Sequence, residues 1–165
     1  MSKQQKGFSL IELLIVVAII LIIAAIAIPN LMRARMSANE SSAVGSVRSI
    51  NTAEISYNAA YSNLGFTTVL TQLGGAVGAA CVPSTTTGCF IDSSLATGTK
   101  SGYIFTPALG TAGVGVPLQD YSISAAPAVP NQSGTRYFCS FEDAVVRSST
   151  AATPAPCDAT ASALQ

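Results

Sequence analysis

The chain has 165 residues, of which only 10% are charged; its eight basic and eight acidic side chains balance, and it contains no histidine. Without a basic surplus there is no footprint for neutralising phosphates, and without histidine the commonest general base and metal ligand is missing, which weighs against nucleic-acid readers, hydrolase triads and zinc enzymes. The length suits one domain with a real core plus an appended segment, not two ordinary domains.

The informative stretch comes first: MSKQQKGFSLIELLIVVAIILIIAAIAIPN. Met1 to Gly7 is polar and carries Lys3 and Lys6, whereas from Phe8 to Ile28 only Ser9 and Glu12 are polar. As a helix, Phe8 to Ile28 would run about 31 Å, close to a hydrocarbon core of about 30 Å. A secretory signal peptide would have an apolar run of about 7 to 15 residues and then a small-residue cleavage site. This run is longer, although Ala24, Ala25 and Ala27 supply small residues near its end.

Neither a signal peptide nor a plain anchor accounts for Glu12, because an acid at the bilayer centre costs roughly 2.5 to 3.5 kcal/mol. Cleavage between Gly7 and Phe8 would account for it, by creating an α-amino group of pKa about 7.7 to 8 one helical turn away. In a bundle of apolar helices, the ammonium of a neighbouring copy would be drawn to Glu12, fixing the axial register between subunits. The plainer alternative is a carboxylate that snorkels to the headgroups without a partner.

The run Lys6-Gly7-Phe8-Ser9-Leu10-Ile11-Glu12 and the apolar stretch after it, as far as Pro29, resemble the cleavage and methylation signature of type IV pilins and type II secretion pseudopilins. The resemblance implies a membrane peptidase that cuts after Gly7 and methylates Phe8, a Glu12 that pairs with the adjacent subunit's N-terminus, and a helix kink at Pro29. Val47 to Gly74, and the runs Gly134 to Cys139 and Val145 to Arg147, are similar to major pilins of some environmental bacteria.

The residues alone support part of this. Pro29 has no N–H and crowds the carbonyl of Ala25, so a helix continuing through it bends or loses a hydrogen bond. Beyond it, Ala43, Val47, Ile50, Glu54, Tyr57, Tyr61 and Leu64 recur at spacings of four and three, one face of an amphipathic helix. Glu54 is the charged intruder on that face: either it sits at the edge or finds a hydrogen bond, or it serves subunit contacts. Gly65 suits a C-terminal cap.

After Gly65 the pattern changes. Gly74 to Gly102 reads as an irregular connecting region. Short β-leaning runs follow at Tyr103 to Thr106, Tyr121 to Ala125 and Arg136 to Phe141, separated by Gly, Pro, Ser and Asn. In the second run Tyr121, Ile123 and Ala125 alternate with serines; in the third Tyr137, Cys139 and Phe141 share a face. The expected fold class is α+β, a long N-terminal helix packed on a small antiparallel sheet. The tail after Arg147 reads as loosely ordered apart from Cys157.

The cysteines are Cys81, Cys89, Cys139 and Cys157. With no CxxC spacing and no histidine, they read as two disulfides in an oxidising compartment. Three connectivities are open; the favoured one joins Cys81 to Cys89 and Cys139 to Cys157. Oxidised cysteines put the C-terminal portion outside the cytoplasm, an orientation that lysines before the span and Arg33 and Arg35 after it leave open. Asp92, Asp120, Glu142, Asp143 and Asp158 lack the clustering of a calcium loop and read as solvated surface acids, and the sequons at Asn39 and Asn131 are too short to carry weight.

The expected organisation is a leader at 1–7, a membrane and polymerisation segment at 8–28, an amphipathic helix half at 29–64 and a disulfide-bearing head at 65–165. The expected function is a structural subunit of a type IV pilus, not an enzyme, with no cofactor or metal. Its partners would be other copies of itself, the prepilin peptidase and methyltransferase, and the inner-membrane assembly platform and motor. It would start in the inner membrane as a single-pass protein with a periplasmic head and end in a cell-surface filament. The alternatives are a major pseudopilin of a type II secretion system and a membrane-anchored extracytoplasmic binding protein.

Overall fold

The computed structural model describes residues 9–75, 78, 80–109, 120–150 and 161–164. The chain divides into two compact units, residues 1–35 and 36–165. Helix α1 (Leu10–Ala60) supplies the first unit and begins the second.

From Leu13 to Pro29, α1 is apolar all round. Its large side chains are exposed on every face, among them Leu10, Leu13, Ile15, Ile20, Leu21, Ile26 and Ile28. The helix continues through Pro29, whose nitrogen has no hydrogen to donate to the carbonyl of Ala25.

The second unit packs the remainder of α1 on a sheet. Short helices α2 (Leu70–Leu73) and α3 (Ser93–Ala96) precede strands β1 (Thr99–Lys100), β2 (Tyr103–Leu109), β3 (Tyr121–Pro127), β4 (Tyr137–Phe141), β5 (Arg147–Ser149) and β6 (Ser162–Ala163). All neighbours are antiparallel and the spatial order follows the chain, β1-β2-β3-β4-β5-β6. The architecture is the expected α+β fold.

The core forms where the helical stripe meets one face of the sheet. Ala43, Val47, Ile50, Ala53 and Tyr57 bury against Tyr103, Phe105, Ile123, Ala125 and Phe138, with Leu70, Leu73 and Leu95 at one side. The register sets which face of β4 turns inward. Ala125 pairs with Phe138 and Ser124 with Cys139, so Phe138 and Ser140 face the helix, and the face shared by Tyr137, Cys139 and Phe141 is the outer one. Gly134 is small because the Tyr103 ring lies where its Cβ would be; Tyr103 donates its hydroxyl hydrogen to the carbonyl of Arg136 at 2.8 Å.

Three expectations are corrected. α1 ends at Ala60, so Leu64, expected as the last residue of the stripe, lies in the turn that follows and is 38% exposed. That turn is closed by the Leu64 and Gly65 amides donating to the Tyr61 carbonyl, with Gly65 at φ 78°, left-handed backbone that glycine adopts without a Cβ clash. The region from Gly74 to Gly102 is not wholly irregular, since Asp92 caps α3 by accepting from the Leu95 amide at 2.9 Å and β1 follows. The tail after Arg147 is partly structured: β5 pairs with β4 and β6 with β5, and the Leu164 amide donates to the Val146 carbonyl at 2.8 Å. Residues 151–160 lie outside the described residues.

Candidate functional site

The most distinctive surface is the apolar first unit. An 18-residue window of α1 reaches a mean hydropathy of 3.3, and none of it is buried. By length and composition it can cross a bilayer, where a helix satisfies its own backbone hydrogen bonds. Its acid, Glu12, lies in the first turn and accepts a hydrogen bond from the Ser9 backbone N–H at 2.9 Å. That contact is half of a capping box: it satisfies an otherwise orphaned N–H and leaves a negative charge at the end of the helix where the macrodipole favours one. Gly7 and Phe8, the expected cleavage and methylation positions, lie outside the described residues.

A second set of polar side chains fastens α1 to the sheet, and two of its members were not among the sequence-derived sites. Glu40 is 7% exposed. Its Oε1 accepts from the Thr135 amide at 2.8 Å, the Thr135 hydroxyl at 2.9 Å and the Arg136 amide at 3.2 Å, and its Oε2 accepts from Arg136 Nε at 2.8 Å. Burial alone would raise its pKa, but the Thr135 and Arg136 contacts outweigh that and hold the carboxyl below its ordinary value. Asn51 donates to the Ser140 hydroxyl at 2.8 Å and accepts from the Tyr121 hydroxyl at 3.2 Å. The signal for Glu40 was present: stepping the stripe of Ala43, Val47 and Ile50 back by three reaches it, and Arg136 was at hand as its cation.

Glu54 is buried, 1% exposed, and finds a hydrogen bond, as one of the two expectations had it. Its Oε2 accepts from the Thr67 amide at 3.0 Å.

Cys81 and Cys89 are joined, closing the predicted loop, with Val82 72% exposed on it. Cys139 is also disulfide-bonded; Cys157, its expected partner, lies outside the described residues. Two of the surface acids pair with bases: Asp92 with Lys100 at 2.9 Å and Asp143 with Arg147 at 2.6 Å. Asn39 is occupied by the turn between β3 and β4, donating to the Ser133 carbonyl at 2.9 Å.

Part of the chain's sequence has counterparts among known proteins. Residues 2–28 match the prokaryotic N-terminal methylation motif. The chain is 63% identical over 38 residues, 23% of this chain and 29% of the relative, to the type IV wide pilus major component PilA4 of Thermus thermophilus. It is 46% identical over 56 residues, 34% of this chain and 26% of the relative, to the type IV major pilin protein PilA of Myxococcus xanthus. The chain therefore aligns with between a quarter and a third of the length of these relatives. No solved structure matches it significantly. Over its N-terminal region the chain carries this methylation motif and is similar to these type IV pilins.

Proposed function

We propose that the chain is a structural subunit of a type IV pilus, made as a prepilin, cut between Gly7 and Phe8 and methylated on Phe8. The observation that carries this reading is the coincidence of the methylation motif with a helix whose apolar side chains are unburied on every face. At about 25 cal/mol per Å², that surface keeps the segment out of water, so it resides either in lipid or among the same segments of other copies. Transfer between two apolar surroundings makes polymerisation reversible without exposing the helix to water.

In this reading residues 1–7 are a leader and 8–28 anchor the chain in the inner membrane. Residues 29–64 are the amphipathic half of the helix, with a bend at Pro29 and a stripe buried in the head's core, and 65–165 complete the periplasmic part until assembly carries it to the cell surface. Glu12 pairs with the free amino group of an adjacent subunit and sets register. The partners are other copies of the chain, the processing peptidase and the membrane assembly platform with its motor; the role is structural and needs no catalytic residue. The relatives' names, a pilus component and a major pilin, favour a pilus over a secretion pseudopilus.

Two measurements on the native host test this. Intact mass and N-terminal peptide sequencing should find a chain that starts at N-methylated Phe8; retention of Met1 to Gly7, or a cut near Ala27, would make the segment a plain anchor or signal peptide. Antibodies to the head should then decorate extended surface filaments at native expression levels. Labelling confined to the cell envelope, with loss of secreted enzymes on deletion, would assign the chain to a pseudopilus instead.

A further inference from the structure

The head buries two carboxyl groups on α1, and they are treated differently. Glu40 is matched by Arg136. Glu54, 1% exposed, accepts one hydrogen bond from the Thr67 amide at 3.0 Å, and its Oε1 has no hydrogen-bond partner among the described residues. Two titratable side chains are close enough to feel its charge: Tyr57, one turn further along α1, and Tyr121, from β3. Both phenols are pushed up, first by burial, and stay uncharged through the neutral range. Among the described residues no lysine or arginine contributes to the state of Glu54, and Thr67 offers only its amide.

What Glu54 holds is a relay to the surface. The Thr67 hydroxyl contacts Gln72 Oε1 and accepts from the Val69 amide at 3.1 Å, tying the segment into α2. The last carbonyls of α2 then carry the disulfide loop: Gln72 accepts from the Gly88 amide at 2.6 Å, and Leu73 accepts from the Phe90 amide at 2.7 Å. The loop is fastened once more to α1, by the Tyr57 hydroxyl donating to the Thr85 carbonyl at 2.6 Å. Tyr57 lies one turn from Glu54, so the two groups secure the same assembly at both ends.

We propose that Glu54 is a proton-operated latch: with its carboxyl protonated, the 65–73 segment and the Cys81–Cys89 loop stay docked on α1, and loss of that proton loosens both. Ionisation leaves an uncompensated negative charge in the core with a single N–H to stabilise it. Burial pushes the Glu54 carboxyl up to about 7, although the Thr67 N–H pulls the other way. Once the segment lifts and the group meets water, it returns to its ordinary value of 4.5. Between those values the docked form holds a proton that the open form has lost. Opening therefore increases about tenfold per pH unit from pH 4.5 to 7 and levels off above. Docking is tightest in mild acid and loosest from neutrality upward, the reverse of the direction set by a paired carboxylate such as Glu40.

The test is amide hydrogen exchange on the full chain in detergent micelles between pH 5 and 8.5, corrected for the intrinsic pH dependence of exchange. Protection in peptides covering 66–73 and 81–90 should fall about tenfold per unit up to pH 7 and then level off, while β3 and β4 stay far better protected than these peptides at every pH. Glu54→Gln should make the same peptides insensitive to pH. A flat wild-type profile, an unchanged slope in Glu54→Gln, or loop peptides as well protected as β3 and β4 at neutral pH would each overturn the latch. If Glu54→Gln does not fold, the protonated-carboxyl infrared band of the wild type decides: a buried acid losing it near pH 7 supports the latch, and one losing it near pH 4.5 overturns it.

Discussion

Replacing Glu40 by alanine gives a quantitative test of how the helix is held to the sheet. The substitution removes the acceptor for two backbone amides, one hydroxyl and Arg136 Nε. The ion pair itself is worth no more than about 1 kcal/mol, because the Arg136 side chain is 43% exposed and solvent screens it. The amides donating to a carboxylate with only 8% side-chain exposure contribute more, about 1.5 to 3 kcal/mol. Thr135 is exposed, so its freed donors can recover water. The expected loss for Glu40→Ala is therefore about 2 to 3 kcal/mol, below the 3 to 5 kcal/mol typical of breaking a fully buried pair.

Glu40→Gln keeps one acceptor oxygen and should cost about half as much. Urea unfolding of the full chain in micelles at pH 7, followed by near-ultraviolet tyrosine dichroism, reads both variants. The sign against pH follows from the depressed pKa of Glu40. Its stabilisation is complete above the ordinary carboxylate value of about 4.5 and is lost as pH falls through the lower folded value, so Glu40→Gln should flatten the acid limb of the wild type. A loss below about 0.5 kcal/mol for Glu40→Ala, or equal losses for the two variants, would refute this account of the contact.

Glu54 should behave in the opposite sense. Lifting its carboxyl from 4.5 to about 7 corresponds to about 3 kcal/mol of stability lost between those pH values at 1.36 kcal/mol per unit. Glu54→Gln should accordingly melt higher than wild type at pH 8 and not at pH 4.5; a lower melting point at pH 8 would contradict the assignment. Replacing Cys81 and Cys89 together by serine opens a loop of sequence separation 8 and should cost about 2 to 3 kcal/mol. Equal melting temperatures for that variant and the oxidised parent would show that the disulfide adds nothing to the head. Glu12→Ala should still be cut after Gly7 but should lower the yield of sheared filaments at least tenfold, and undiminished filaments would eliminate its role in register.

Local chemistry was legible in the sequence where a short run of residues is enough to dictate it. The apolar stretch, the first-turn acid, the stripe from Ala43 to Tyr57, the three longest strands and the left-handed Gly65 all follow from spacing over a few residues. So does the Cys81–Cys89 pairing, because a short loop brings its own ends together. α3 escaped because four residues show no period, although Asp92 with the Leu95 amide makes an ordinary N-cap. β5 and β6 escaped because serine and alanine carry no β signature; they are strands because β4 offers an edge to β5, and β5 in turn to β6. Which face of β4 turns inward depended on register against β3. Glu40 and Asn51 needed partners 70 to 96 positions away, and nothing in a single sequence connects such pairs except the helical stripe on which both carriers lie.

The sheet order also bears on how the head is completed. Each strand pairs only with the next one in the chain, so every ladder forms by closing a local hairpin, and the loop-closure entropy of each step is small. The helix belongs to a different order of events: its bonds to Ser140 and Arg136 span 89 and 96 positions and can form only after most of the chain exists. A sheet still waiting for its helix would present Tyr103, Phe105, Ile123 and Phe138, all buried in the finished head, as one sticky face. Lesions in residues 40–57 should therefore show up as aggregation and proteolytic clearance of sheets that have formed but remain uncovered, and the head's quality control would turn on arrival of the helix.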